Sequence, residues 1–145
     1  MRYLLLIMLL LTPTNVSSTL LAPNSETLCL TKVIYHESRG EPFMGQVAVS
    51  HVVMNRLNSP KYPKTVCQVV YQPSQFTDIQ KVKPKFQSSE WKEASRIAII
   101  TYNGLDEDPT FGALYYYAHN KIKVPLWAKS KKVKARINNH TFLGD

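Results

Sequence analysis

The chain has 145 residues, with 18 lysines and arginines against 10 acidic residues and a formal net charge of +8. That length suits one domain with one core. The two cysteines are too few for a cysteine-rich zinc site. The positive balance favours polyanions, with acidic polymers and membrane surfaces ahead of nucleic acid, although a solvated basic face over "KVKPK" and "KSKKVKAR" would account for much of it.

Arg2 precedes the apolar run "YLLLIMLLL", and "TPTNVSS" follows. A basic start, a short apolar core and small residues form the pattern of a secretory signal over residues 1–18. The run falls short of the roughly 20 residues of a membrane span. Export gives Cys29 and Cys67 a setting in which they form a disulfide in preference to two separate buried thiols.

The first helix is expected from Asn24 or Ser25 through "TLCLTKVIYHES", with Gly40 and Pro42 ending it. A second helix, apolar around most of its circumference and so central, starts near Met44 and carries "GQVAVSHVVMNRL". "TVCQVVYQ" is a short third helix and "PSQF" a loop. "SSEWKEASRIAIITYNG" is a fourth, capped by Ser88 or Ser89 and stopped at Asn103–Gly104, with Trp91 in the core. "DEDPT" reads as an exposed turn and "GALYYYAH" as a strand. The segment "KKVKARINNHTF" is either its partner or an irregular tail. Helices first and a small sheet late give an α+β class.

The stretch "YHESRGEP" carries the strongest chemical signal. Ile34, Val33 and Leu30 lie three, four and seven residues before Glu37, so Glu37 falls on the core-facing stripe at the last turn of its helix. Desolvation and the negative end of the helix dipole both raise the pKa of a carboxyl placed there. Such a group suits a general acid, and pairing with Arg39 is the structural alternative. Glu41 has a weaker case, with Arg39 or Arg56 as possible partners. His36 points away from the Glu37 stripe.

The run "VIYHESRGEPFMGQVAVSHVVMNRL" resembles the cell-wall hydrolase family typified by the spore cortex-lytic enzymes SleB and CwlJ. Ser38 stands where the family has alanine. Similarity continues through "YPKTVCQVVYQPSQF", "DPTFGALYYYAH", "PLWA" and "NNHTF", where the family commonly has Ile-Gly-Asn-His before the last aromatic segment. The resemblance implies a catalytic domain over residues 24–145 with a lysozyme-like fold: a mainly helical lobe and a small antiparallel sheet towards the C-terminus. It implies secreted or periplasmic action on peptidoglycan glycan strands at the cell wall, by lytic transglycosylation or hydrolysis. Glu37 would be the catalytic acid. Glu41, Gln46, Gln75, Tyr116 and His140 are the substrate-contact candidates. Strand alternation sets Tyr116 opposite Tyr115 and Tyr117, while Trp127 and Phe142 are assigned to packing. No cofactor or metal, no nucleic acid and a monomer are expected, with acidic wall polymers as further partners.

Two rival functions remain. A zinc amidase would draw on His36, His51, His119 and His140, but "HESRG" has Gly40 where the His-Glu-x-x-His pattern needs its second histidine. A non-catalytic basic binding module would use the lysines and leave Glu37 without a task.

Overall fold

The computed structural model describes residues 22–76, 78–81 and 83–145; the proposed signal at 1–18 lies outside them. Four helices, α1 (Ser25–Ser38), α2 (Phe43–Asn58), α3 (Val66–Val70) and α4 (Ser89–Tyr102), precede three strands, β1 (Tyr115–Ala118), β2 (Lys132–Ile137) and β3 (His140–Gly144). The α+β expectation holds, with all strands late in the chain. No described helix is long and apolar enough to cross a membrane.

Three of the four helix starts follow side-chain capping, and α2 begins after Pro42 without a side-chain cap. Asn24 accepts from the Thr27 amide at 2.9 Å while Thr27 Oγ1 accepts from the Asn24 amide at 2.8 Å, which closes a reciprocal box at α1. Thr65 and Ser88 cap α3 and α4 by a single side-chain bond each, accepting from the Gln68 and Trp91 amides. Gly40 at φ +88° turns the chain out of α1, and Gly104 at φ +66° follows the end of α4.

The core is shared by α1 and α2. Leu30, Val33 and Ile34 of α1 are fully buried, and α2 is buried without interruption from Gly45 to Val53. α1 packs on α2, α3 and α4, so the expected central helix is in fact one of two. A disulfide joins Cys29 of α1 to Cys67 of α3, and the Glu26 carboxylate accepts from the Val66 amide beside it.

The strand order is β1-β3-β2, antiparallel throughout. The segment left open as partner strand or tail is therefore a hairpin whose second strand, β3, pairs with β1. Its turn was obscure in sequence because no glycine marks it: Asn138 takes φ +49°, a left-handed conformation that asparagine tolerates.

Candidate active site

Glu37 sits in the last turn of α1, its side chain 25% exposed and its Oε1 3.8 Å from His36 Nε2. Burial pushes its carboxyl above the ordinary carboxylate range, against the opposing pull of His36, a hydrogen bond from Tyr116 and the Lys121 ammonium. The side chain is thus partly desolvated yet still reachable from solvent. The adjacent Ser38 is buried and donates to the Ile34 carbonyl at 2.8 Å, so the hydroxyl that replaces the family's alanine is satisfied locally. Arg39 does not pair with Glu37 or Glu41. Its guanidinium lies over the Tyr35 ring, 5.0 Å from the centroid.

Tyr116 links Glu37 to the sheet. Burial, then the neighbouring Glu37 charge, pushes its phenol well above the usual tyrosine value, so it remains a donor. Its ring packs edge-on to His140 at 5.4 Å and tilted on Phe142 at 5.8 Å. Tyr115 and Tyr117 face Trp127 at 6.1 and 6.4 Å, as strand alternation requires. A direct test is carbon-13 NMR titration of the Glu37 carboxyl. Tyr116→Phe removes a donor that favours the ionised form, so the midpoint is expected to move to higher pH. Lys121→Met is expected to move it the same way; a downward shift in both would contradict this electrostatic account.

The end of α2 sets the position of β1. Asn55 Nδ2 donates to Asp108 at 2.9 Å and to the Ala113 carbonyl at 3.1 Å. Arg56 Nε donates to the Leu114 carbonyl at 2.8 Å. These neighbouring residues therefore fix the chain just before Tyr115 and Tyr116. The "DED" segment is correspondingly not a free solvent turn. Asp106 pairs with His51 at 3.1 Å and accepts from Thr101 at 2.8 Å, while Asp108 accepts from Asn55, Thr110 and Gly112.

The remaining candidates divide by position. Glu41 accepts from Asn139 Nδ2 at 2.9 Å, and the Gln46 amide donates to the Glu41 carbonyl at 3.0 Å. The Glu41 side chain therefore clasps the α1–α2 turn to the β2–β3 turn, while Gln46 braces the α1–α2 turn from within α2. Gly45 is part of this close approach: a Cβ there would lie 2.9 Å from Asn138 Nδ2 and 3.1 Å from Glu41 Cβ. His140 is only 5% exposed, lies against Tyr116, and is held below its ordinary pKa by burial. Gln75 is exposed and shares a cavity of about 350 Å³ with Tyr116, Tyr115, Arg56 and Trp127. Phe142 and Trp91 are core as expected, but Trp127 is not: it is 46% exposed and stands at this cavity. Glu37 lies outside the cavity lining and is joined to it by Tyr116. Arg56 is the feature sequence reasoning missed, because an arginine at a helix end ordinarily reads as exposed.

A family model described as Cell Wall Hydrolase matches residues 40–143. The chain belongs to the cell wall hydrolase family. That match begins just after Glu37 and does not include it. Similar relatives in this family include the spore cortex-lytic enzymes of Bacillus subtilis strain 168, 35% identical over 119 residues, and of Halalkalibacterium halodurans, 36% identical over 113. These alignments cover 82% and 78% of this chain but 37% and 33% of those proteins. The chain therefore spans about a third of the length of the curated relatives it matches. The catalytic domain of the germination-specific lytic transglycosylase SleB from Bacillus anthracis superposes with a TM-score of 0.68 at 30% identity, covering 85% of this chain and all of that one. The SleB catalytic domain of Bacillus cereus gives 0.65 at 31%, covering 86% and 96%. The lysozyme-like, mainly helical lobe with its small sheet is therefore the fold of the SleB catalytic domain.

Proposed function

We propose that this cell wall hydrolase cleaves the β-1,4 bond between N-acetylmuramic acid and N-acetylglucosamine in peptidoglycan, as a lytic transglycosylase with Glu37 as its acid and base. The observation that carries the reading is a half-buried carboxyl with a raised pKa at the end of α1, held beside the Tyr116 hydroxyl. Protonated Glu37 donates to the glycosidic oxygen as the C1–O bond breaks, and positive charge develops at the muramyl C1. The muramyl 6-hydroxyl then adds to C1 and returns its proton to Glu37, leaving a 1,6-anhydro end. This sequence needs one carboxyl. Among the other acids, Glu41 holds Asn139, Asp78 pairs with Lys81, Asp106 and Asp108 hold the loop before β1, and Glu107 is exposed. That allocation favours transglycosylation over hydrolysis assisted by a second carboxylate.

The reading places the protein outside the cytoplasm, with residues 1–18 as its export signal. The exposed Lys132, Lys134 and Arg136 along edge strand β2 are suited to acidic wall polymers. The amidase reading has less support, since His51 is committed to Asp106 and Asp108.

Mass spectrometry of digested peptidoglycan separates the readings by product. Muropeptides ending in 1,6-anhydromuramic acid are expected. New reducing muramyl ends would replace transglycosylation with hydrolysis, and released stem peptides with intact glycan would overturn both in favour of an amidase.

A further inference from the structure

The strongest unassigned feature is the cation in the cavity next to Glu37. Arg56 is only 5% exposed, and its guanidinium lies 5.3 Å from the Tyr62 ring centroid and 5.2 Å from that of Phe76. Its Nε serves the Leu114 carbonyl, but its buried Nη1 has no hydrogen-bond partner. Among the described residues no carboxylate pairs with it. The nearby Lys131 is different, because Asp145 accepts from it at 2.5 Å and from Lys61 at 2.6 Å. The cavity of about 350 Å³ therefore combines a guanidinium that no described carboxylate neutralises with the exposed amide of Gln75, the rings of Tyr115 and Tyr116, and the half-exposed indole of Trp127. A buried charge without a counter-ion is costly, and a ligand carboxylate relieves that cost with charge-assisted hydrogen bonds. Aromatic faces beside it suit the apolar face of a sugar ring.

We propose that this cavity binds a carboxylate carried by a muramyl unit of the glycan strand, with Arg56 as the anion-binding group and Trp127 and Tyr115 as the platform for the sugar. The inference rests on the glycan-cleaving reading and deepens it. Tyr116 borders the cavity and its hydroxyl acts on the Glu37 carboxyl, so a muramyl unit seated on Arg56 is coupled through one side chain to the acid. N-acetylglucosamine has no carboxylate, so Arg56 would set the register of the strand. Two sources share the chemistry: the free lactyl carboxylate of a peptide-free muramyl unit, and a terminal carboxylate of its stem peptide.

The test uses full-length Glu37→Gln protein and isothermal titration calorimetry with four chemically defined tetrasaccharides. One has free lactyl carboxylates, one has them as methyl amides, one carries stem peptides with free carboxylates, and one is chitotetraose. Binding about tenfold or more tighter for a free carboxylate than for the methyl amide is expected. The lactyl and peptide arms show which source is used. Arg56→Lys should remove most of the preference, and Trp127→Ala, at an exposed position that the core does not need, should weaken every muramyl ligand. Equal binding of all four would overturn the carboxylate site while leaving the cleavage reading intact. Binding of none would overturn both. Because the first comparison changes only the ligand, it stands even if an Arg56 variant fails to fold.

Discussion

Glu37→Gln is expected to lower kcat for strand cleavage by about 10²- to 10⁴-fold, the usual contribution of a positioned acid or base. The substitution keeps the shape of the side chain and removes only the proton it can give and take back. Little stability should be lost: the side chain is a quarter exposed, and the ion-pair contact it forfeits, with His36, is 3.8 Å long. Thermal unfolding of the variant within a few degrees of wild type, with turnover gone, would locate the defect in chemistry. The wild-type rate should also fall as pH rises through the Glu37 pKa, because the acid must start protonated. Burial raises that pKa, so the fall comes above the ordinary carboxylate range. Turnover retained by Glu37→Gln, or a rate that climbs through that range, would remove Glu37 from the mechanism.

The helices were legible because their signals are local. Asn24, Thr65 and Ser88 mark three starts by side chains that bond within three residues, and the apolar spacing behind Glu37 put it on the core-facing stripe, where its side chain is a quarter exposed. What could not be read depends on distant contacts. The pairing of Asn55 with Asp108 and of His51 with Asp106 spans more than fifty residues, so an acidic turn that looks solvated is in fact a structural knot. Gly45 reads as a mild weakness in a helix until the β2–β3 turn is seen to press on it. The hairpin itself was hidden because Asn138 adopts a conformation that its residue type only permits, whereas glycine would have advertised it. Arg56 and Trp127 erred in opposite directions. Residue type suggests an exposed arginine and a buried tryptophan, and the cavity reverses both. The departures from residue-type expectation thus converge on one cavity, which Tyr116 also lines, and the proposed binding there would override the usual sorting of polar and apolar groups.

The second large effect is on stability. Removing the Cys29–Cys67 bridge, by reduction or by Cys29→Ala with Cys67→Ala, is expected to cost about 4 kcal/mol in the chain-entropy view of a loop this long. The sequence separation is 38 residues. In a domain of this size that corresponds to a fall in Tm on the order of 15 °C. The fold makes a large effect physically reasonable. α3 has only five residues, too few to be stable alone. It is held by Val66, Val69 and Val70 in the core, by the bridge, and by the Glu26 carboxylate on the Val66 amide. Glu26→Gln should weaken the same element by about 1 kcal/mol. Combined with bridge removal, its effect should depart from additivity, because both ties hold one short helix against α1. Differential scanning calorimetry of the four proteins checks this. A shift below about 3 °C on reduction would mean that the core alone secures α3. A large shift would mean that the fold draws much of its margin from an oxidising environment, in keeping with the proposed action outside the cytoplasm.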